Sequence, residues 1–388
     1  MTASNQDVVV TGIGLTTALG TSALTNWTRL VAGESAIALR QPFLDLAPGP
    51  LAMVGKSPIS LREMTAQLAA EAWQDAGIAP LDASDAGSCG VVVGSSRSHL
   101  QTWEAMALQQ KQLPGQIEEN WLGALPHSPA LTVAKTVGAQ GPLLAPMAAC
   151  ATGVWAIAQA ADLIRNGQCH RVVAGAVEAP ITRLPLAGFR KMGALASTGC
   201  DPFDEHREGF VLGEGGALLV LESATLAAAR KARVYGQILS GGITNDSHHV
   251  SAFEPSYQMG HRAVVQCLVR SGLVASEIDA VHTHGTSTAQ NDRMEASLIE
   301  ALLGRAAVMA SKGASGHTLG ASGAVTVALG LMSLYRQQLV PCVGLRSPDF
   351  DLNFVRSPRA AQLRYLLCFS FGFGGQNAAI ALSNDPAS

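Results

Sequence analysis

The stretch PMAACATGVWAIAQAADLIRNG, residues 146–167, places Cys150 directly before an Ala-rich segment that Gly167 can terminate. This composition predicts a helix packed inside protein, with Cys150 at its N-terminus. The positive end of a helix dipole lowers the pKa of a nearby thiol from its ordinary value of about 8.5, and small neighbours leave room for a substrate. The stretch therefore favours a nucleophilic cysteine over a buried structural one.

Three segments of the first half of the chain have counterparts in the second half, in the same order. The pairs are VGSS (93–96) with HGTS (284–287), CATG (150–153) with GASG (320–323), and GEGGALLV (213–220) with GFGGQNAA (372–379). This register predicts an ancient duplication, with halves at 1–225 and 234–388 packed intimately as one unit around one active site. The alternative is that Gly-rich turns between strands and helices look alike in any α/β protein.

Short apolar and β-branched runs alternate with Ala-rich helical stretches along the chain. The runs lie at 8–10, 90–94, 171–174, 217–221, 234–239, 278–282, 307–310, 366–369 and 378–382. This alternation predicts the α/β class. Because the runs are continuously apolar, we expect sheets that are buried on both faces.

The composition excludes several classes of protein. The 388 residues include 26 Lys+Arg and 29 Asp+Glu, a net charge of −3, with 48% hydrophobic and only 14% charged residues. This balance excludes intrinsic disorder and a nucleic-acid-binding tail. We therefore expect a folded chain that does not bind nucleic acid.

A mean hydropathy of +0.22 raises the question of a membrane span, for which residues 144–164 are the best candidate. Pro146, Gly153, Gln159 and Asp162 interrupt this stretch, so we expect no membrane insertion. The start MTASNQD lacks a basic region followed by an apolar core, so we expect no signal peptide and a cytoplasmic location.

Seven cysteines are spread along the chain and never form a CxxC pair. They are Cys89, Cys150, Cys169, Cys200, Cys267, Cys342 and Cys368. An odd number of such scattered cysteines argues against a disulfide framework and a zinc site, so we expect no metal.

A histidine pair ends one of the predicted strands, in VHTHGTST at residues 281–288. Strand ends beside Gly turns are where α/β proteins present catalytic side chains. His282 and His284 share one face of an extended strand, and Asn291, Asp292 and Glu295 follow. From the residues alone, a metal-ligand set and a satisfied core histidine remain alternatives.

Two Gly-rich segments complete the set of candidate motifs. ASKGASGHTLGASG (310–323) contains Lys312 and His317, and it lacks the GxxxxGK pattern of a phosphate-binding loop. CFSFGFGGQN (368–377) reads as a strand that ends in a glycine loop. The backbone N–H groups of that loop can bind an oxyanion, although a plain tight turn is the alternative.

Together, ACATG at Cys150, HGTST at His284, SKGASGH at Lys312 and His317, and SFGFGG at 370–375 resemble the β-ketoacyl-acyl carrier protein synthases. These are the condensing enzymes of fatty acid and polyketide synthesis. The opening VVVTGIGLTTALG (8–20) and the segment at 201–222 are also similar to that family, so the resemblance covers nearly the whole chain. It implies a thiolase-like fold, with two duplicated α/β halves in a five-layered α/β/α/β/α arrangement, and normally a homodimer.

The resemblance also implies the roles of individual residues. Cys150 would hold the acyl chain as a thioester, and His284 and His317 would stabilise the enolate that forms when malonyl loses CO₂. The resemblance further implies a positioning role for Lys312, a supporting carboxylate at Glu295, and an oxyanion hole from the backbone N–H groups of Cys150 and Phe373. It implies substrate contacts at Thr286 and Thr288, which would bind the phosphopantetheine arm, and at Gly372, Phe373 and Gly374, with Phe373 also gating the acyl pocket. The implied partner is acyl carrier protein in its acyl and malonyl forms, whose phosphopantetheine arm carries the substrate. No permanently bound cofactor is expected.

Two departures from the family pattern are visible. Thr326 is aligned where the family usually has a Glu near the lysine, and residues 197–201 form a shorter segment than usual before the PFD motif. Carrier proteins are acidic, and a net charge of −3 gives this chain no overall attraction for them. Any docking patch must therefore be local, and Arg62, Arg190 and Lys191 are the candidates.

Four other functions fit parts of the pattern. A thiolase would need a second cysteine as base, and no other cysteine sits in a comparable Gly-rich loop. A non-catalytic partner of the chain-length-factor type would typically lack the nucleophile. A specialised polyketide ketosynthase shares the same chemistry, and a metal hydrolase would use His282, His284 and Asp292.

Overall fold

The computed structural model of the chain describes residues 7–115 and 121–384. The first six residues of the MTASNQD start, and the last four residues of the predicted second half, lie outside the described residues. The positions of all predicted site residues fall inside them.

The described residues contain fourteen strands. They are β1 (Val8–Thr17), β2 (Ala38–Arg40), β3 (Gly49–Leu51), β4 (Cys89–Gly94), β5 (Leu143–Leu144), β6 (Arg171–Glu178), β7 (Gly215–Ser223), β8 (Gly236–Asn245), β9 (Ala280–His282), β10 (Ala307–Met309), β11 (Gln338–Leu339), β12 (Arg359–Ala360), β13 (Tyr365–Gly372) and β14 (Gln376–Ser383).

Twelve α-helices accompany these strands in the described ranges. They are α1 (Ala23–Val31), α2 (Leu61–Asp75), α3 (Ala83–Gly87), α4 (Leu100–Gln112), α5 (Ser128–Val137), α6 (Thr152–Arg165), α7 (Arg183–Lys191), α8 (Ala224–Ala229), α9 (Gln258–Arg270), α10 (Ala289–Leu302), α11 (Lys312–Ser315) and α12 (Ser322–Arg336). Short 3₁₀ helices lie at Trp121–Ala124, Ala275–Glu277 and Leu319–Ala321.

Ten of the strands form one mixed sheet whose order mirrors itself about its centre, β5-β4-β6-β7-β1 followed by β8-β14-β13-β9-β10. In each half, two antiparallel pairings (β1–β7–β6 and β8–β14–β13) are followed by two parallel ones (β6–β4–β5 and β13–β9–β10). The two halves join where β1 pairs with β8. This repeated pattern is the topology expected of a duplicated α/β chain.

Three hydrophobic cores separate the layers. One lies between helices α2 and α5 and the first half of the sheet, and another between helices α9 and α10 and the second half. The third core surrounds α6 and α12, which lie between the two halves. The arrangement is therefore the five-layered α/β/α/β/α fold, and the predicted fold class is confirmed. The exact division at 225 and 234 stays a prediction.

The two central helices approach each other closely at their N-termini. A Cβ on Gly153 would lie 2.3 Å from the backbone N of Ala324, and a Cβ on Gly323 would lie 2.9 Å from the backbone N of Val154. These glycines occupy corresponding positions in the CATG and GASG segments, so the contact is reciprocal. This crossing brings the start of α6, with Cys150, next to the chain that leads into α12.

The predicted strands all exist, but most are longer in the structure than the apolar runs that predicted them. The first run, 8–10, is the beginning of a ten-residue strand with every residue buried. No apolar run predicted the short strands β2, β3, β5, β11 and β12, because segments of two or three residues carry no periodic signal.

One helical segment, Leu319–Arg336, is long and apolar enough to cross a membrane by length and composition. It contains α12, and 89% of it is buried inside the protein. Its apolar character is explained by its place between the two halves of the sheet. The stretch 144–164 instead begins at the last residue of the edge strand β5 and contains most of α6.

Candidate active site

Cys150 lies at the turn that leads into α6. Its predecessor Ala149 adopts the left-handed backbone region, with φ of 47°, which an L-residue rarely occupies. Thr152 supports this turn, because its Oγ1 accepts the Ala148 N–H at 2.9 Å and donates to the Ala149 carbonyl at 2.7 Å. The turn thus presents a half-buried cysteine at the N-terminus of the helix, as the sequence predicted.

The end of β13 packs directly on the Cys150 backbone. Ser370 Oγ donates to the Cys150 carbonyl at 2.9 Å, and the backbone N–H of Phe373 interacts with the Cys150 sulfur. A Cβ on Gly372 would lie 2.9 Å from the Cys150 N and 3.0 Å from the Ala148 O. Only a glycine therefore lets the Gly372–Phe373 backbone come this close to the nucleophile.

His284 lies in the turn that follows β9, and a buried carboxylate fixes this turn. Glu295 on α10 accepts the backbone N–H of His284 at 2.6 Å and of Gly285 at 2.5 Å. Asn291 Nδ2 donates to the same carboxylate at 2.6 Å. Gly285 has φ of 47°, which favours glycine at the turn. The predicted supporting carboxylate therefore orients the histidine loop through its backbone.

Lys312, at the start of α11, is buried against His284. Its ammonium donates to the His284 carbonyl and lies 3.3 Å from the His284 Nδ1. Because an ammonium can only donate, Nδ1 must accept, which leaves the His284 proton on Nε2. Lys312 therefore holds one tautomer of this imidazole.

His317 reaches the site from the chain between α11 and α12. Its backbone pairs with the segment before β7, donating to the Val211 carbonyl at 2.7 Å and accepting from the Gly213 N–H at 3.0 Å. Its ring packs edge-to-face on Phe210, with centroids 5.2 Å apart. The Nδ1 atom is buried without a hydrogen-bond partner in the described part of the chain.

The three side chains converge on one small volume. The sulfur of Cys150 and one nitrogen from each of His284 and His317 all lie within 4.8 Å of one another. The two imidazole rings stand nearly perpendicular, with centroids 5.2 Å apart and planes at 83°. The structure thus brings together a nucleophile from the first half of the chain and two imidazoles from the second.

Burial is the largest influence on the pKa values of Cys150, His284 and His317. It raises the pKa of the Cys150 thiol to about 11, although Lys312, Arg97 and the Phe373 N–H act in the opposite direction. The predicted lowering of the thiol pKa at the helix N-terminus was therefore wrong, because the effect of the protein around the sulfur outweighs that of the nearby positive charges. Burial also holds the pKa of His284 and of His317 well below 6.5, and the Lys312 charge adds to both shifts.

The group opens into a cavity of about 550 Å³. Thr286 and Thr288 line it, and their hydroxyl oxygens lie 2.8 Å apart. Phe373 also lines it, with its ring centroid 6.3 Å from that of Phe189 on α7. These three residues were predicted to contact substrate, and their positions permit that role.

The glycines beside Phe373 have different surroundings. Gly372 contacts backbone at the nucleophile rather than lining the cavity. Gly374 has φ of 77° with open space where a Cβ would be, and its N–H donates to the Val250 carbonyl at 2.8 Å. Their predicted contact with substrate stays a prediction.

The structure answers the concern about Thr326. That residue is buried within α12, and its carbonyl accepts the Cys368 thiol proton at 3.7 Å. Glu295 is the carboxylate that most strongly opposes the lowering of the Lys312 pKa by burial. The charge balance of Lys312 therefore depends on Glu295. The short 197–201 segment packs on the histidine loop, where the Asp201 N–H donates to Ser287 Oγ at 2.9 Å.

The residues of the metal-hydrolase alternative have other partners. His282 Nε2 lies 3.1 Å from Ser311 Oγ. Asp292 accepts the Phe203 N–H at 2.8 Å and the Ser287 N–H at 3.2 Å. Both side chains hold loops in place. Within residues 7–115 and 121–384, the metal-ligating side chains that gather closely are instead Cys150, His284 and His317.

The candidate docking residues are all exposed. Arg190 and Lys191 end α7 beside Met192 and Gly193, which line the cavity. Arg62 lies at the start of α2, beside a separate surface depression. The first two are therefore placed where a partner could reach the entrance.

Several site residues were missed in the sequence analysis. They are Arg97, Phe189, Phe210 and Phe371, which line the cavity, and Ser370, which binds the Cys150 carbonyl. A signal for Arg97 was present, because the VGSS turn before it was paired with the HGTS turn of His284. The corresponding turns of two duplicated halves face the same site, so the residue after VGSS was a candidate.

Comparisons with known proteins agree with this geometry. Residues 60–227 match the family model "Beta-ketoacyl synthase, N-terminal domain", and residues 235–346 match "Beta-ketoacyl synthase, C-terminal domain". The 3-oxoacyl-(acyl-carrier-protein) synthase 2 of Mycobacterium bovis is 35% identical, over 96% of this chain and 96% of that protein. The protein of the same name from Staphylococcus aureus is 31% identical, over 97% of this chain and 98% of that one.

A solved structure is similar over the whole chain. It is described as a type II polyketide synthase acyl carrier protein in complex with its ketosynthase bound to the hexaketide. The matched chain has a TM-score of 0.92 and 25% identity, covering 98% of this chain and 100% of that chain.

Proposed function

The chain belongs to the β-ketoacyl synthase family, and we propose that it joins an acyl group held on Cys150 to the two-carbon unit of malonyl-acyl carrier protein. The chain is an acyltransferase of the 3-oxoacyl-(acyl-carrier-protein) synthase class, and its product is β-ketoacyl-acyl carrier protein. The observation that carries the mechanism is the convergence of the Cys150 sulfur with two imidazole nitrogens within 4.8 Å.

The first half-reaction is acyl transfer. Cys150 Sγ attacks the thioester carbon of acyl-carrier protein, the bond from that carbon to the phosphopantetheine sulfur breaks, and the freed thiol leaves with a proton. Because burial raises the Cys150 pKa to about 11, the thiol proton must leave during the attack. His317 is neutral and within reach, so it can accept the proton, whereas the Nε2 of His284 already carries one.

The second half-reaction is decarboxylative condensation. The malonyl C–C bond breaks, CO₂ leaves, and the electron pair passes into an enolate whose oxygen is stabilised by imidazole N–H donors. Lys312 fixes the His284 proton on Nε2, which makes that nitrogen a donor. The enolate carbon attacks the Cys150 thioester, and the C–S bond then breaks to release the product and the thiolate, which is reprotonated.

The negative oxygen of each tetrahedral intermediate needs its own donors. We assign these to the backbone N–H groups of Cys150 and Phe373. The Phe373 N–H, which favours the thiolate form of Cys150, and the close packing of Gly372 on the Cys150 N support this assignment. Loss of one such donor typically costs roughly 2.7–4 kcal/mol of barrier.

The carrier arm is the remaining part of the substrate. Phosphopantetheine would enter along Thr286 and Thr288, whose hydroxyl groups can bind its amides. An acidic carrier protein would dock near Arg190 and Lys191 at the cavity entrance, and the solved complex of a similar ketosynthase with its carrier protein supports such a partner. We expect no permanently bound cofactor, because the mechanism requires none.

We also propose that two copies of the chain pair through β5. This strand ends the sheet, with Leu144 39% exposed and Met147 after it 69% exposed. Other exposed apolar side chains of the first half of the chain include Trp103, Leu108, Leu113, Trp121, Leu122 and Leu131. An unpaired apolar edge of this kind favours pairing with a second strand.

The dimer is tested by a charge on the edge. Leu144→Lys should convert the dimer to a monomer in light scattering, whereas Leu44→Lys, at a position 91% exposed elsewhere, should not. A wild-type monomer, or a Leu144→Lys dimer of unchanged affinity, would exclude this interface.

The pathway and location follow from the same family. We propose a role in fatty acid synthesis in the cytoplasm. The names of the relatives support the pathway. Because the similar solved structure comes from a type II polyketide synthase, a specialised polyketide ketosynthase is the alternative function. A non-catalytic chain-length-factor-like role is disfavoured by the nucleophile at Cys150 and its two imidazoles.

The proposed function is tested by weighing the intact protein after incubation with acyl-carrier protein. We expect the wild type to gain the mass of one acyl group and Cys150→Ala to gain none. Cys267→Ala is the control, because its thiol is buried in another core, and it should gain one acyl group like the wild type. Acylation should also protect Cys150 from iodoacetamide. Unchanged acylation of Cys150→Ala would remove the nucleophile from the mechanism.

A further inference from the structure

The cavity that contains Cys150 has a guanidinium on its wall. Arg97 is the one Lys or Arg among the described residues that line it. It follows β4 in a turn fixed by the buried carboxylate of Glu178, which accepts the Arg97 N–H at 3.1 Å, the Ser95 hydroxyl at 2.9 Å and the Ser96 N–H. The backbone that carries this cation is therefore held firmly.

The Arg97 guanidinium has an aromatic support and no acidic partner. Its Cζ lies 5.6 Å from the centroid of Phe189, which also contacts the proposed gate residue Phe373. No ion pair or side-chain hydrogen bond of Arg97 is found in the described ranges. The carboxylate that lines the same cavity, Glu208, already accepts the Ser197 N–H at 3.0 Å and the Ser197 hydroxyl at 2.6 Å.

Arg97 and Cys150 line the same cavity, and the Arg97 charge opposes the rise in the Cys150 pKa. Arg97 as a whole is exposed, so only the part of its guanidinium that faces the cavity would lose water to an acyl chain. A hydrocarbon chain would displace that water without replacing its hydrogen bonds, which is unfavourable. A carboxylate or keto oxygen on the acyl chain would replace them and pair with the charge.

We propose that Arg97 binds an oxygen-bearing group on the acyl chain held by Cys150, so that the enzyme prefers a carboxylated or keto acyl group to a plain hydrocarbon of equal length. The inference rests on the proposed condensing function. The malonyl carboxylate fits this role less well. Its charge leaves as CO₂ forms, so a cation there would stabilise the ground state more than the transition state.

The test compares two acyl-carrier proteins, one with a hydrocarbon acyl chain and one with a terminal carboxylate on a chain of the same length. Acylation of Cys150 is followed by intact mass. The variants are Arg97→Met and Arg97→Lys, with Arg305→Met as an exposed-arginine control outside the cavity. Thermal unfolding of each variant confirms that it is folded.

We expect the wild type and Arg305→Met to load the carboxylated chain about tenfold faster than the hydrocarbon. Arg97→Met should lose or reverse this preference, and Arg97→Lys should keep part of it. Equal loading of both substrates by the wild type, or an unchanged preference in Arg97→Met, overturns the inference and leaves the condensing function standing. A raised KM for malonyl-carrier protein in Arg97→Met with unchanged acyl preference also overturns it. Loading of neither substrate overturns both.

Discussion

Adding one methyl group at Gly372 should disable the site with little change elsewhere. The Cβ of Gly372→Ala would lie 2.9 Å from the Cys150 N, 3.0 Å from the Ala148 O and 3.2 Å from the Ala151 N. All three are backbone atoms of the turn that carries the nucleophile, so no side chain can rotate away. The end of β13, with the Phe373 N–H, must therefore move away from Cys150.

The size of the effect follows from the donor that is displaced. Losing one oxyanion-hole donor typically costs roughly 2.7–4 kcal/mol, or 10²- to 10³-fold in kcat, whereas overpacking costs about 1–3 kcal/mol of stability. We expect kcat for condensation to fall about 100-fold in Gly372→Ala. The assay is steady-state condensation of acyl- and malonyl-carrier protein, with thermal unfolding measured in parallel.

A second glycine provides the matched control. In Gly330→Ala, the Cβ would lie 3.0–3.2 Å from the side chains of Cys368, Leu366 and Leu382, inside α12 and away from the nucleophile. This variant should lose stability and keep its kcat. A Gly372→Ala enzyme with wild-type kcat, or a Gly330→Ala enzyme with an equal loss of kcat, would refute the reasoning.

Two further predictions concern protonation. Lys312→Met removes the donor that fixes the His284 tautomer and a charge that lowers the His284 pKa. The condensation rate should fall about tenfold or more, and the acid limb of its pH profile should move to higher pH; an unmoved limb would exclude this role. Burial raises the pKa of Glu71 from 4.5 to about 7, so its contribution to stability is fully present below pH 4.5 and is lost as the pH rises to about 7. Denaturant unfolding across this window should show a flatter decline in Glu71→Gln, and an identical pH dependence in the two proteins would contradict the assignment.

Much of the fold could be predicted because duplication repeats its signals. The apolar runs located every long strand of the ten-stranded sheet, and the CATG and GASG segments marked the two helices that cross at Gly153 and Gly323. The pairing of β1 with β8 could not be predicted, since register between distant strands depends on packing across the whole chain. The edge strand β5 was too short to carry a pattern.

Site residues that lie in recognisable motifs were predicted from the sequence. Site residues that reach the cavity only in the folded chain were missed. Cys150, His284 and His317 stood in Gly-rich segments, and the structure brings them together. The pKa of Cys150 was predicted in the wrong direction, because a sequence shows the helix N-terminus but not the burial of the sulfur. Arg97 was missed although the VGSS turn before it was paired with HGTS, because the pairing of two turns does not show which side chain reaches the cavity.

The most direct test of the central claim separates acyl transfer from decarboxylation. It measures CO₂ release from malonyl-carrier protein together with the acyl mass on the enzyme, for the wild type, Cys150→Ala, His284→Ala and His317→Ala. We predict that Cys150→Ala gains no acyl mass yet still releases CO₂, whereas each histidine variant is acylated, His317→Ala more slowly, and releases CO₂ about 100-fold more slowly than the wild type. Wild-type CO₂ release from either histidine variant, or condensation at the wild-type rate by Cys150→Ala, would contradict the account.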